Sequence, residues 1–229
     1  IDAITKEYEL PIRLDITAKN KAEADEIRAY IEERYKCPVP FHEVRTRFLG
    51  NIASPVLGAS PMETIKQLWG GELPEFDSME DLNELFNVLI SGLWNRLTVH
   101  QSSRNPFRLL RFEVAQTREG LNHLALVRRQ ELDGFVEGLF GLKEHIDLPE
   151  RAHKALEALA EIRAILAGII NLLDDSSKPA KSDDIKKLLH NIQELTIIAE
   201  TEMNKANLSC KRARGQMLEQ IPAAMPTLH

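Results

Sequence analysis

Two long segments with apolar residues at helical spacing constrain the fold of this chain most. The first follows Pro149 and continues to Leu173, and its second half is apolar on almost every side. The second begins at Ser182 and carries an apolar stripe at intervals of three and four residues: Ile185, Leu188, Leu189, Ile192, Leu195, Ala199, Met203 and Ala206. Because such helices are stable only when another element covers the stripe, the pattern predicts a helix bundle. The polar stretch DDSSKPAKS at 174–182 predicts the loop that joins the two helices.

Proline and glycine divide the preceding part of the chain into further helices. Asn20 and Glu23 are spaced like a capping box at the start of a first helix, which the prolines at 38 and 40 end. Later apolar patterns predict helices over these ranges: 41–52, 60–69, 79–98 and 121–142. Between the last two we predict a loop at 98–119 that contains a short helix at 107–116.

The stretch SPMETIKQLWGGELPEFDSMEDL, residues 60–82, predicts a sharp corner between two helices. Ser60 is a good N-cap and is followed by a proline at the first helical position. Gly70 or Gly71 supplies the left-handed residue that ends the helix. Trp69 directly precedes them, at the end of the apolar stripe, and is predicted to be buried at the corner between the flanking helices.

Residues 8–17 carry the one strand-like pattern, with apolar residues at every second position from Leu10 to Ile16. Pro11 restricts such a strand to an edge. Two interpretations stay open: an extended arm lying on the helices, or a strand that pairs with a partner chain. The fold class is therefore predicted to be all-α, a multi-helix bundle with a short N-terminal extended arm. If the strand pairs with a partner chain, and if part of the long apolar stripe of the last helix faces that chain, the protein is a homodimer, and this is the predicted assembly.

These patterns divide the chain into four parts. The predicted order is an extended arm at 1–18, a helical domain at 19–145, a C-terminal helical hairpin packed on it at 146–215, and a flexible tail at 216–229. Within the second part, Gly134, Gly138 and Gly141 lie in one predicted helix. Glycine destabilises a helix by about 1 kcal/mol against alanine. We therefore expect these residues to admit a closely packed neighbour, most plausibly the helix at 150–173.

Composition excludes some function classes. A net charge of -6 disfavours a general nucleic-acid binder, and no apolar run reaches the ~18 residues of a membrane span. Cys37 and Cys210 form neither a disulfide framework nor a zinc motif. The first residues include several charged side chains, whereas a signal peptide would require an apolar stretch there. We therefore expect a cytoplasmic protein without membrane association.

Three groups of residues are candidates for chemistry. Glu150 and His153 have the Glu-x-x-His spacing of di-iron bundles, but no second such pair follows and an acidic residue suits the first turn of a helix. His100 lies close in sequence to Ser102 and Ser103, without the GxSxG motif of a nucleophile elbow.

The third group is Cys37, a candidate nucleophile with His42 as its base. The glycines of the helix at 121–142 do not form a phosphate-binding loop, because they neither follow a strand nor precede a GK[ST] sequence. No catalytic, cofactor-binding or metal-ligating residue is therefore assigned, and no cofactor is predicted.

A local basic run, Lys211-Arg212-Ala213-Arg214, is typical of cations near a helix C-terminus. Its alternative interpretation is contact with nucleic acid.

Part of the chain resembles a known family. Three motifs carry the resemblance: FLGNIASP at 48–55, the capped helix that runs into WGG at 69–71, and EDLNELFNVLISGLWNRL at 80–97. ELDGFVEGLFG at 131–141 is a weaker match. Together these make residues 41–145 similar to the YecA- and YgfB-like family of uncharacterised bacterial helical proteins. The resemblance implies an all-α fold and no catalytic residues, and this chain lacks the cysteines of the zinc-binding tail that some members append.

These observations favour a non-catalytic helical protein-interaction or adaptor module with a protein partner. A helical enzyme that binds a small molecule or a metal is the alternative. A nucleic-acid-associated factor that uses residues 211–214 is the second alternative.

Overall fold

The computed structural model describes residues 25–175, 177 and 181–220, and over these residues the chain is helical without a strand. The predicted all-α multi-helix bundle is confirmed. The arm at 1–18, the helix start at Asn20 and residues 221–229 of the tail lie outside the described residues. The last helix continues to Gln220, past the end predicted near Gly215.

The helices follow one another with short connections. In chain order they are α1 (Tyr30–Arg34, π-helical), α2 (Phe41–Ala53), α3 (Pro61–Gln67), α4 (Met79–Phe86), α5 (Asn95–Leu97), α6 (Arg118–Phe140), α7 (Glu150–Asp174) and α8 (Ser182–Gln220). A π-helical stretch, Asn87–Trp94, joins α4 to α5, and a 3-10 turn, Thr98–Gln101, follows α5.

Helices α2 and α6 approach each other closely, and glycines make this approach possible. A Cβ on Gly134 would lie 2.7 Å from the carbonyl oxygen of Glu43, and one on Gly138 would overlap the backbone of Arg47. Gly50 of α2 faces the backbone of α6 in the same way. The predicted close approach is therefore present, but its partner is α2 rather than the helix at 150–173. Gly141 has a different role, because it ends α6 with a positive φ of 59°.

The two long C-terminal helices cover the other side of α6. The stripe predicted on α8 is buried at Ile185, Ile192, Ala199, Met203 and Ala206. It packs within the same chain against α7, α6 and α2. The apolar stripe of α8 therefore gives no support to a second chain, and the predicted homodimer now rests on the arm alone.

The corner at 60–82 forms as predicted in its backbone. The Ser60 hydroxyl accepts the Met62 N–H at 3.2 Å, and Gly70 and Gly71 have φ values of +79° and +106°. Trp69 packs against the core with part of its surface exposed. Its indole N–H donates to the carbonyl of Tyr35 at 3.0 Å. The tryptophan is thus fixed by the chain that follows α1, not only by the two helices of the corner.

Residues 106–115, which we call the strap, have no regular secondary structure. The short helix predicted at 107–116 is therefore wrong. The strap lies against α6 and α8, and its Phe107 and Leu109 are fully or almost fully buried in the core. Among the described residues, no helix is both long and apolar enough to cross a membrane.

Candidate functional site

Glu150 and His153 do not come together as metal ligands. Both are exposed on the first turns of α7, and each is paired along its own helix: Glu150 with Lys154 at 2.6 Å, and His153 with Glu157 at 3.3 Å. Within residues 25–175, 177 and 181–220, no group of three or more His, Cys, Asp or Glu side chains could hold a metal ion. The local spacing therefore reflects helix charge pairing.

The histidine and serines of the 100–103 region belong to a loop. The Nδ1 atom of His100 lies 2.9 Å from the carbonyl oxygen of Asn105, and its ring packs edge-on against Phe107. The Ser102 hydroxyl accepts the backbone N–H of Arg104. Burial lowers the pKa of His100, which favours the neutral ring. These contacts hold the turn before the strap.

Cys37 and His42 also have separate partners. The thiol of Cys37 faces the carbonyl oxygen of Leu68 at 3.9 Å, whereas the Nε2 atom of His42 lies 2.9 Å from the side-chain oxygen of Gln130. Burial raises the pKa of Cys37 to about 11, so little of the nucleophilic thiolate exists at neutral pH. Neither residue is arranged for nucleophilic catalysis.

Two buried carboxylates bind the strap. Glu131 of α6 accepts the N–H of Leu110 at 2.8 Å, and Glu200 of α8 accepts the N–H of Leu109 at 2.9 Å. Both glutamates are completely buried. Burial raises the pKa of Glu131, and the guanidinium of Arg128 opposes that shift. Because the strap forms no helix, these side chains satisfy backbone N–H groups that would otherwise be buried without a partner.

Arginines and an amide complete this network. Arg108 and Arg111 of the strap pair with Glu200 at 2.8 and 2.6 Å. Asn204 of α8 binds both backbone groups of Phe107, accepting its N–H at 2.8 Å and donating to its carbonyl at 3.0 Å. The buried acidic groups are therefore engaged in holding the strap between α6 and α8.

The basic run at 211–214 is divided between two uses. Lys211 donates to the carbonyl of Gln101 at 2.8 Å, and Arg214 donates to the carbonyls of Ile52 and Ser54 at 3.0 and 2.7 Å. The predicted position near the C-terminus of their own helix is wrong, because α8 continues to Gln220 and has no basic residue in its last turn. Arg214 instead caps the end of α2. Arg212 points instead into a groove on the other side of α8.

This basic groove, with a volume of about 280 Å³, lies between the strap, the first turn of α7 and α8. Its polar lining consists of Arg108, Arg151, Thr201, Asn204, Lys205 and Arg212. Four of these side chains are cationic, and none of the described residues that line the groove is acidic. Because the cations come from three separate segments of the sequence, only the folded chain brings them together.

The four cations of the basic groove differ in how they are compensated. Arg108 is paired with Glu200, and Lys205 with Glu202 at 2.6 Å. Arg212 donates only to a carbonyl of its own helix, that of Leu208, and Arg151 pairs with no carboxylate of the described chain. Two positive charges therefore face the groove without a counter-charge.

Arg151 occupies an electrostatically unfavourable position. It is the second residue of α7, whose N-cap, Pro149, offers no side-chain hydrogen bond. A cation near the positive end of a helix dipole is destabilising, and an anion placed there is stabilising. Glu150 does not fill this role for the groove, because its carboxylate pairs with Lys154. An anionic ligand would interact favourably with the helix dipole and would neutralise the uncompensated guanidinium of Arg151.

Comparison with known proteins identifies no relative: no family model, no curated protein and no solved structure matches this chain. The resemblance of residues 41–145 to the YecA- and YgfB-like family therefore stays a prediction. The candidate site rests on its own geometry, a concave surface with four cations of which two are uncompensated.

Proposed function

We propose that this chain is a non-catalytic helical interaction module whose basic groove binds an acidic segment of a partner protein. The observation that carries the proposal is the concentration of Arg108, Arg151, Lys205 and Arg212 around one cavity of about 280 Å³. Complementary charge steers an acidic partner to such a surface and fixes its orientation.

The chemistry of the remaining polar groups supports binding over catalysis. Cys37 is a poor nucleophile because burial raises its pKa to about 11. The buried carboxylates of Glu131 and Glu200 accept hydrogen bonds from the strap, so they serve the fold. Arg151 and Arg212 are the exposed cations of the groove that pair with no carboxylate of the described chain, and they can therefore meet a partner.

The net charge bears on which anion is favoured. The chain as a whole carries -6, so a long polyanion such as duplex DNA is repelled by most of the surface. A short acidic segment needs to approach only the groove. Two residues of the 211–214 run are already engaged with backbone carbonyls, which further reduces the cationic surface for nucleic acid.

A peptide titration tests this proposal. A fluorescently labelled peptide rich in Glu and Asp is titrated with the protein at low salt, and fluorescence anisotropy reports the bound fraction. We expect saturable binding that weakens as salt is added. The double variant Arg151→Glu/Arg212→Glu should lower the affinity at least about ten-fold, because it replaces attraction by repulsion at the centre of the groove.

The chain offers a matched control on the same long helix. Lys186 and Lys187 are exposed on α8 and do not line the basic groove, so Lys186→Glu/Lys187→Glu makes the same change in net charge elsewhere. Circular dichroism establishes that both variants are folded. An equal loss of binding in the two variants would overturn the proposal, as would tighter binding of a DNA duplex than of the peptide.

A further inference from the structure

The charge balance of the basic groove indicates more than a general preference for anions. Four cations line it. Lys205 is paired with Glu202, and Arg108 shares the carboxylate of Glu200 with Arg111. Arg151 and Arg212 have no carboxylate partner in the described chain, so the groove keeps a net charge of at least +2. A side-chain carboxylate of charge −1 would compensate at most half of it.

We propose that the group bound in this groove is a single phosphoryl group, carried on a Ser, Thr or Tyr side chain of the partner's acidic segment. This inference rests on the proposed function, since it names the group by which the acidic segment is held. A phosphorylated side chain carries a charge of roughly −1.5 to −2 at pH 7 and three strong acceptor oxygens. It matches the uncompensated +2 of the groove in charge.

The type of cation supports the same ligand. Both uncompensated residues are arginines, whose planar guanidinium donates two parallel hydrogen bonds to a phosphoryl or carboxylate group. The neutral lining groups add little. Thr201 donates its hydroxyl to the carbonyl of Ile197 at 2.9 Å. The amide of Asn204 already donates to two backbone carbonyls, those of Phe107 and Glu200. Binding therefore depends on the guanidinium groups of Arg151 and Arg212.

The size of the site separates one phosphoryl group from a phosphate-rich surface. The groove is concave and holds about 280 Å³, a volume just below that of small-ligand pockets, which begin near ~300 Å³. A membrane or a nucleic acid presents many phosphates over a broad area, and the net charge of -6 opposes its approach. A phosphorylated peptide presents one dianion on a flexible chain that can enter the groove.

The experiment uses three peptides that differ at one position, carrying phosphoserine, glutamate or serine in the same acidic sequence. Binding to the full chain is measured by isothermal titration calorimetry. We expect the phosphoserine peptide to bind at least ten-fold more tightly than the glutamate peptide, and the serine peptide to bind most weakly. Inorganic phosphate at millimolar concentration should compete with the phosphoserine peptide.

Charge-removing variants provide the decisive control. Arg151→Gln/Arg212→Gln removes both the uncompensated charge and the forked donors, so it should abolish most of the preference for phosphoserine over glutamate. Both positions are exposed, and the Lys186→Gln/Lys187→Gln variant makes the same change in net charge elsewhere on α8.

Each outcome bears on one of the two proposals. Equal affinity for the phosphoserine and glutamate peptides overturns the phosphoryl assignment and leaves the acidic-segment proposal standing. A preference for phosphoserine that survives in Arg151→Gln/Arg212→Gln also overturns the assignment. Tighter binding to vesicles containing phosphoinositide than to the phosphoserine peptide would overturn the assignment and identify a membrane surface as the ligand. Failure of every peptide to bind overturns the proposed function itself.

Discussion

Replacing Gly138 by alanine tests the close contact between α2 and α6. The added Cβ would lie 2.7 Å from the carbonyl carbon and 2.9 Å from the Cα of Arg47, closer still to the carbonyl oxygen. Ordinary carbon contacts begin at about 3.5 Å, so α2 and α6 must separate by roughly 1 Å at this point. A gap of that size removes about a quarter to a half of the dispersion energy of each contact along the interface.

The expected magnitude combines two opposing effects. Overpacking in a rigid interface costs about 1–3 kcal/mol, and more where backbone must move. Alanine regains about 1 kcal/mol over glycine in helix propensity. Because the clash at Gly138 is with backbone rather than with a flexible side chain, we expect a gross cost of about 3–4 kcal/mol and hence a net loss of about 2–3 kcal/mol in the free energy of unfolding. For a chain of this size, that loss lowers the melting temperature by roughly 4–12 °C.

The assay is urea unfolding followed by circular dichroism, with Gly168→Ala as the control. Gly168 is also inside a long helix, α7, but nothing lies within 4 Å of the Cβ that an alanine would add. The same substitution should therefore stabilise the protein by about 0.5–1 kcal/mol. Opposite signs for the two variants follow only if the contact is close at Gly138. A Gly138→Ala variant as stable as Gly168→Ala would refute the interface of α2 with α6.

Three further predictions concern titration, reactivity and assembly. Burial lowers the pKa of His42 below the 6.5 of a free imidazole. The folded state therefore binds fewer protons than the unfolded chain just below pH 6.5, so the free energy of unfolding falls as the pH drops through that range. In His42→Gln, the free energy of unfolding measured by urea titration should depend less on pH in that range. Burial raises the pKa of Cys37 from 9.0 to about 11, so iodoacetamide at pH 8 should alkylate it about 100-fold more slowly than in urea, as followed by mass spectrometry. Sedimentation equilibrium should give twice the chain mass of 26.0 kDa, and deletion of residues 1–18 should restore the monomer; a monomer at all concentrations contradicts the paired arm.

The helices could be predicted from the sequence because their signals are local. The stripe of α8, the N-cap at Ser60 and the positive φ of Gly70 each depend on residues within a few positions of one another. The partner of the glycine-bearing helix α6 could not be predicted in the same way. Glycine spacing indicates that some helix approaches closely, whereas the choice of α2 over α7 depends on Gly50, about 85 residues away in sequence.

The basic groove could not be predicted from the sequence for a related reason. Its cations, Arg108, Arg151, Lys205 and Arg212, come from the strap, α7 and α8. Only Arg212 lay in a basic run, and two neighbours in that run, Lys211 and Arg214, are engaged with backbone carbonyls. The basic run in the sequence therefore contains only one of the four cations of the groove, and its Lys211 and Arg214 are not among them.

The strap shows why the interior and the groove must be considered together. Apolar Phe107 and Leu109 made residues 107–116 resemble a short helix, but a helix would have satisfied its own backbone and removed a backbone N–H partner from both Glu131 and Glu200. Glu131 would then keep only the guanidinium of Arg128. Because a buried carboxylate is destabilising when it loses hydrogen bonds, the non-helical strap and the two glutamates stabilise each other. Glu200 also pairs with Arg108 and shares its charge with Arg111, so it offsets part of the positive charge of the groove. The same buried carboxylate thus fixes the strap against α8 and lowers the charge that Arg108 adds to the groove, where Arg151 and Arg212 have no carboxylate partner in the described chain.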